Sequence, residues 1–368
     1  MRNRFLAFLL IVMALFLSLR LYSKFPVSFG DMQIYLRMAN DPSFFVGSPF
    51  GFRIGQPLVV YLLSLSLDTE IPNTFYFMTT LFTFLTALLL AYWLCLNSVT
   101  FFSSILLACA YLLSFPGAFT LSAWALVDAP LHFFLILGLI LIHKRQWIWL
   151  AFLLFIGGFF KENIAVILPV AILSLYDSEP LKSGVKISFF LTISFLASFL
   201  IVRTGLCFNR PIESSISATH LTKDYFKHVI DYWGGVYGFL TKTFYVFSIY
   251  WFSPLFVGMS MWRRRLPLLM LLLFTLAQIP FATDIERMVA LAFPVIFLAT
   301  GLFSQSIGNI AGSIFVIIFL PVTYYLFQSG SYYKESVMIF TLVIFVIFVY
   351  TLVRKFGHNS RAGSQLGP

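Results

Sequence analysis

The chain has 368 residues, of which 60% are hydrophobic and only 10% are charged, and its formal net charge is +10. A soluble globular protein carries about a quarter charged residues and covers part of its surface with them, so this composition excludes a soluble domain. The positive charge lies in short groups between apolar runs, which does not favour a nucleic-acid partner. We therefore expect an integral membrane protein that contacts membrane lipids and no nucleic acid.

Apolar runs of span length recur along the chain, each closed by a short polar or Gly/Pro break. They predict an all-α, polytopic transmembrane bundle of about 12 spans, with residues 1–354 as a single transmembrane domain and 355–368 as a short cytoplasmic tail. The first run resembles a signal peptide but lacks a small-x-small cleavage motif, so we expect a retained span. The predicted spans are 4–23, 73–96, 99–115, 121–143, 146–160, 164–176, 187–204, 241–261, 266–282, 288–304, 309–327 and 336–353.

Residues 146–176 decide the orientation, because they form either one tilted helix or two short helices broken at "FFKENIA". Two half-helices place the basic groups on one face, which the positive-inside rule makes cytoplasmic. The outer loops are then 24–72 and 205–240, and all carboxylates except Asp177 and Glu179 face outward. We expect a multi-pass protein of a bacterial inner membrane whose site faces the periplasm. The basic groups that share the cytoplasmic face are "RNR" at 2–4, "KR" at 144–145, Lys182, Lys186, "RRR" at 263–265 and "RK" at 354–355.

The first outer loop holds the strongest pattern of polar residues. Its segment "GDMQIYLRMAN" predicts a short helix at the outer face, on which Asp31, Tyr35 and Met38 share one side. Asp31 would lie in the first turn, where the helix dipole favours an ionised carboxylate of the kind a general base needs. The alternative is that Asp31 only caps this helix.

Arg53 follows in "GFRIGQPLVVYLL", just before the next apolar stretch. A guanidinium near the membrane surface is suited to bind phosphate oxygens bidentately. It could equally extend to lipid head groups without a specific ligand.

Four further polar residues are predicted to lie on the same side. Asp128 stands several residues inside an apolar span, where a charge is costly and faces a cavity, a ligand or a cationic partner, and His132 follows one turn later. Lys161 and Glu162 occupy the predicted break, and adjacent residues project in different directions, so we expect them to bind different partners. Arg287 begins a late span, where it could bind a phosphate or anchor the helix at the interface.

The order of these motifs resembles the GT-C superfamily of integral-membrane glycosyltransferases, which includes protein O-mannosyltransferase-like and aminoarabinose-transferase-like enzymes. The resemblance covers about the first 180 residues and residues 284–294. It rests on short motifs in a shared order: "FGDMQIY", "FGFRIGQPL", "VDAPLHFFLILGL", "FKENIAVILP" and "ERMVALAFP".

This resemblance implies transfer of a sugar from a polyprenyl-phosphate or polyprenyl-diphosphate donor to a glycan, lipid or protein acceptor at the outer face, with inversion. Asp31 would be the catalytic base, and no cofactor is implied. The first loop lacks an Asp-Glu pair, so a divalent metal is not indicated, and no large soluble C-terminal domain is present to bind a protein sequon. Residues predicted to contact substrate are Tyr35, Arg53, Asp128, His132, Lys161, Glu162 and Arg287.

Two other classes of protein share some of these features. A transporter or lipid-linked sugar flippase also has many spans, broken helices and intramembrane charges. Carriers usually show a two-fold repeat and a site at the midplane, whereas here no repeat is evident and the polar residues favour one face. A non-catalytic membrane scaffold would not require the polar break at Lys161 and Glu162.

Overall fold

The computed structural model describes residues 2–22, 30–44, 52–203, 231, 234–257, 262, 265–278, 285–308 and 312–317. Within these ranges the chain is helical and contains no strand, which confirms the all-α prediction. Short 3-10 helices cover Glu162–Val166 and Ser248–Phe252. The α-helices are α1 (Arg2–Tyr22), α2 (Gly30–Asn40), α3 (Gly55–Leu67), α4 (Ile71–Leu96), α5 (Phe101–Leu113), α6 (Phe115–Ser122), α7 (Asp128–His143), α8 (Trp147–Phe160), α9 (Ile167–Ser178), α10 (Leu181–Arg203), α11 (Gly235–Phe247), α12 (Ser253–Phe256), α13 (Leu266–Ala277), α14 (Ile285–Ala290) and α15 (Phe293–Ser306).

Proline marks the beginning of several helices, where its missing N–H would have had no partner in the helix. Pro72, Pro116 and Pro294 are the second residues of α4, α6 and α15. The side chain of Thr100 caps α5 by accepting a hydrogen bond from the backbone N–H of Ser103. These local features set where the helices begin, while the apolar runs set how far they continue.

The helices α7 and α8 form an antiparallel hairpin that defines two ends of the bundle. Asp128 begins α7 and Lys161 follows α8, so both lie at one end, whereas Lys144 and Arg145 form the turn at the other. With a rise of about 1.5 Å per residue, the two ends lie roughly 20–25 Å apart. We call them the acidic end and the basic end. Arg265 lies at the basic end, because its side chain donates a hydrogen bond to the carbonyl of Asn97 after α4.

Helix α15 lies in the centre of the bundle, with eleven of its fourteen residues buried. Helices α1 and α10 lie outside and expose large apolar side chains, among them Phe16 at 65% and Phe189 at 67%. Exposed apolar side chains of this kind are typical of helices that face lipid. Among the described residues three helices, α1, α4 and α10, are long and apolar enough to cross a membrane.

The bent pair α5 and α6 would make a fourth candidate span, and five further apolar helices are shorter. The count of about twelve spans is therefore not reproduced in the described part of the chain. Predicted spans 309–327 and 336–353, most of the loop 205–240 and the tail 355–368 lie wholly or largely outside the described residues. The break predicted at 161–163 is present, because α8 ends at Phe160 and α9 begins at Ile167.

Several predicted spans are interrupted, and one interruption changes the position of a site residue. The predicted span 121–143 is divided by a turn at 123–127, so Asp128 is the first residue of α7 and does not lie several residues inside a span. The turn was not predicted because its residues are apolar, and hydropathy alone does not distinguish an apolar turn from an apolar helix. Spans 241–261 and 288–304 are likewise divided, by the 3-10 helix at Ser248–Phe252 and by the step between α14 and α15. Span 99–115 corresponds to α5, and the 41° bend toward α6 lies at its end.

Candidate functional site

Asp128 is the centre of a buried ion-pair cluster at the acidic end. Its Oδ1 lies 2.6 Å from Lys161 Nζ, and its Oδ2 accepts a hydrogen bond of 2.7 Å from Arg287 Nη2. The three side chains are 1–7% exposed. A carboxylate so deeply buried stays ionised only beside cations, and here one cation contacts each carboxylate oxygen.

Arg287 connects this buried cluster to α2. Its Nη1 lies 3.6 Å from Oδ2 of Asp31, whose side chain is 30% exposed. Arg287 itself lies in the short helix α14 and is 7% exposed. One guanidinium therefore contacts a buried carboxylate with one nitrogen and a half-exposed carboxylate with another.

Arg53 and Glu162 form a second ion pair beside the first. Arg53 Nε donates to Oε2 of Glu162 at 3.0 Å, and Arg53 Nη2 lies 2.5 Å from Oε1, which is the bidentate geometry expected of a guanidinium and a carboxylate. Arg53 Nη1 also donates to the hydroxyl of the buried Tyr35 at 3.4 Å. This pair joins α2, the start of α3 and the break after α8.

The backbone at the break explains how Lys161 and Glu162 serve two different ion pairs. Lys161 is extended, with φ −162° and ψ 131°, and Glu162 begins the 3-10 helix that follows. Because the backbone changes direction here, the Lys161 side chain contacts the buried Asp128 and the Glu162 side chain contacts Arg53. The prediction that the two residues bind different partners is confirmed.

The two sets of ion pairs together contain three carboxylates and three cations. We call these six residues the ionic network: Asp31, Asp128, Glu162, Arg53, Lys161 and Arg287. Burial raises the pKa of the Glu162 carboxyl, but the Arg53 guanidinium, a backbone hydrogen bond and the Lys161 charge together lower it by more, so its pKa lies below the usual value and Glu162 is ionised. The formal charges of the six groups therefore sum to zero. An anionic ligand would have to compete with a carboxylate for each guanidinium.

His132 is buried one turn beyond Asp128 and lies among aromatic residues. Its Nδ1 is 3.0 Å from the hydroxyl of Tyr111, and its ring packs against Phe293 at a centroid distance of 5.1 Å. Tyr111 was missed by the sequence argument because it lies within the apolar helix α5 with no polar neighbour to mark it. His132 therefore lies one turn along α7 from Asp128, in an aromatic environment formed by Tyr111 and Phe293.

Asn163 extends the polar contacts of the break toward the C-terminal half of the described chain. Its amide nitrogen donates to the side-chain oxygen of Gln278 and lies 3.6 Å from the sulfur of Met288. These two contacts bring the ends of α13 and α14 to the break. Neither Asn163 nor Gln278 was singled out from the sequence.

All eight residues predicted for the site lie at the acidic end, although they are spread from residue 31 to residue 287. Lys161 is 1% exposed, a position that does not favour the predicted contact with a ligand phosphate. Asp31 and Glu162 are the most exposed members of the ionic network. No group of three or more His, Cys, Asp or Glu suited to hold a metal ion occurs among the residues that the structure describes.

Comparison of the chain with protein-family models, with curated proteins and with solved structures gives no match.

Proposed function

We propose that this protein is a membrane glycosyltransferase that moves a sugar from a polyprenyl-phosphate or polyprenyl-diphosphate donor to an acceptor hydroxyl, with Asp31 as general base. The observation that carries the proposal is the contact between Asp31 and Arg287 at the edge of the ionic network. A half-exposed carboxylate and a guanidinium lie side by side, so a base and an anion-binding group are available within one site.

The other two carboxylates of the ionic network are less suited to act as the base. Asp128 is held by two cations and is 5% exposed, so an acceptor hydroxyl cannot reach it. Glu162 is bound bidentately by Arg53, which stabilises its ionised form and lowers its basicity. Asp31 combines exposure with a longer contact of 3.6 Å to its cation.

The reaction needs few groups from the protein. The acceptor oxygen attacks the anomeric carbon as its proton passes to the Asp31 carboxylate, and the bond between that carbon and the phosphate oxygen breaks with its electrons leaving on the phosphate. Arg287 and Arg53 are placed to stabilise the departing phosphate, since both guanidinium groups lie at the same end as Asp31. Lys161 acts through Asp128, because it neutralises the carboxylate that positions Arg287.

The proposed orientation puts the acidic end outside the cell and the basic end in the cytoplasm. It rests on the positive-inside rule, together with the placement of Lys144, Arg145 and Arg265 at the end opposite Asp31. A polyprenyl-linked donor would then be presented by the outer leaflet of a bacterial inner membrane. The acceptor could be a glycan, a lipid or a protein.

The test is to incubate the purified protein, reconstituted in liposomes, with radiolabelled polyprenyl-phosphate sugars and a membrane extract as the source of acceptor. Transfer of label to an acceptor, abolished in Asp31→Asn, supports the proposal. Uptake of label into intact vesicles without transfer would instead identify a carrier or flippase. Neither transfer nor uptake with any donor tested would contradict both activities.

A further inference from the structure

An apolar groove of about 390 Å³ lies between α7 and α8. Its volume falls within the range of ordinary ligand pockets, which begins near about 300 Å³. The lining residues are apolar except for one amide: Phe134, Leu137, Leu141, Gln146, Trp149, Phe152, Leu153 and Ile156. Such a lining offers little to a polar molecule, so the ligand that it suits contains a hydrocarbon chain.

The groove is open at the outside of the bundle. On its α8 wall, Trp149 is 62% exposed and Phe152 is 59% exposed, whereas Leu153 is 4% exposed and belongs to the floor. Exposed apolar side chains of this kind mark contact with a membrane. A lipid chain can therefore enter the groove from the side.

The groove follows the half of the α7–α8 hairpin that leads to the basic end. Phe134, Leu137 and Leu141 lie on one face of α7 at helical spacing. Lys144, ten positions after Phe134, continues that spacing at the end of the helix. Ten residues of helix extend about 15 Å, which is half of a hydrocarbon core of about 30 Å. The groove thus has the depth of one leaflet.

A cation lies at the end of this stripe. Lys144 is exposed, and its ammonium lies 5.0 Å from the centroid of the Tyr92 ring on α4. This cation–π contact orients the ammonium, and Lys144 makes no ion pair within the described ranges. Gln146 and Trp149 add N–H groups at the same end of the groove. The end of the groove therefore offers hydrogen-bond donors and a positive charge.

We propose that this groove binds an anionic phospholipid, with one acyl chain between α7 and α8 and the head-group phosphate at Lys144. An apolar groove alone would accept the chain of any lipid, whereas the cation at its end favours a head group with a net negative charge. The lipid belongs to the leaflet that the basic end faces. The site shares no residue with the ionic network and does not depend on the proposed transferase activity.

The experiment compares the full-length protein in nanodiscs of phosphatidylcholine with the protein in nanodiscs where phosphatidylglycerol replaces increasing parts of that lipid. Thermal unfolding reports stabilisation, and native mass spectrometry after extraction counts the lipids that stay bound. Lys144→Ala removes the cation proposed to bind the head group. Arg145→Gly is the matched control, because it removes the same charge from the same turn, suits the φ of +56° at that position, and does not change the groove lining.

A second pair of variants tests the groove without changing any charge. Leu137→Trp places a larger side chain in the groove, whose lining Leu137 belongs to. Ile148→Trp is the control, because Ile148 is 76% exposed on α8 and lies outside the lining. Should Leu137→Trp fail to fold, Phe152→Ala takes its place, since it removes part of the exposed wall.

We expect saturable stabilisation by phosphatidylglycerol, with an apparent affinity about tenfold weaker in Lys144→Ala and unchanged in Arg145→Gly. The groove variant should also bind it more weakly, and Ile148→Trp should behave like wild type. Equal losses in Lys144→Ala and Arg145→Gly would show diffuse attraction and overturn the proposal. Equal retention of the two lipids by wild type, or wild-type binding by the groove variant, would overturn it as well.

Discussion

The Asp31 carboxylate lies 3.6 Å from the guanidinium of Arg287, although 256 residues separate them along the chain. Arg287 is in turn held by the buried Asp128, so its position does not depend on Asp31 alone. Because Asp128 also holds Arg287, we expect the site to keep its structure when the Asp31 carboxylate is removed. That property allows the role of Asp31 to be separated from its contribution to folding.

Replacing Asp31 with asparagine should reduce sugar transfer by about 10² to 10⁴ and leave the protein folded, since the amide keeps the size of the carboxylate but cannot accept the proton. Transfer of radiolabelled sugar and size-exclusion chromatography measure the two effects. Asp41→Asn is the control, because Asp41 follows the same helix, is exposed and bonds to Ser43. Near-normal turnover by Asp31→Asn would remove this residue from the mechanism.

Replacing Arg53 with glutamine should weaken donor binding by on the order of 2 kcal/mol, or roughly 30-fold in Kd, if its guanidinium binds the donor phosphate. Arg37→Gln is a matched control, since Arg37 is an exposed arginine on α2 outside the ionic network. Binding of a labelled donor to purified protein gives both values. If the two variants bind equally well, the phosphate does not contact Arg53.

Asp128 should matter chiefly for stability. Asparagine at this position leaves Lys161 and Arg287 buried without their carboxylate, which typically costs about 3 to 5 kcal/mol. We expect a lower unfolding temperature for Asp128→Asn than for wild type. The double variant Asp128→Asn/Lys161→Met should recover part of the loss, because it removes the buried Lys161 charge, whereas Arg287 still contacts Asp31. Identical unfolding of Asp128→Asn and wild type would show that these ion pairs do not stabilise the fold.

Gly55, the first residue of α3, packs closely against the end of α8, two residues after Arg53. A Cβ on Gly55 would lie within 3.0 Å of the Phe160 ring and of the Phe159 backbone, so Gly55→Ala should destabilise the protein by about 1 to 3 kcal/mol. Gly30 begins α2 and has no neighbour within 4 Å of such a Cβ, so Gly30→Ala should be tolerated. Thermal unfolding compares the two alanine variants, and similar behaviour would argue against close packing of α3 on α8.

The proposed orientation predicts opposite labelling of the two ends. In a background with Cys95, Cys109 and Cys207 replaced, Asp41→Cys should react with an impermeant thiol reagent added to intact cells. Lys144→Cys should react only after the membrane is permeabilised, because it lies at the basic end. Reaction of both variants from outside would contradict the orientation.

Sequence reasoning predicted the break at Lys161 and Glu162 because a charged pair is conspicuous in an apolar run. It also selected residues that the fold brings to one end, since buried charges in such a chain require partners. It could not show that Arg287 and Lys161 both bind Asp128, because pairing depends on how helices pack. The turn before Asp128 and the buried Tyr111 were missed for the same reason: both lie in apolar sequence, where composition does not distinguish a turn or a ring contact from ordinary helix.

The ionic network has a consequence for how the chain is made. Asp128 is synthesised 33 residues before Lys161 and 159 residues before Arg287. At about 5 to 20 residues per second, the ribosome needs roughly 10 to 30 s to proceed from Asp128 to Arg287. During that interval the new chain holds a carboxylate that lacks one of its two cations. A truncated chain ending before α14 would keep that defect permanently, because the Asp128 carboxylate would have Lys161 but not Arg287 as its partner.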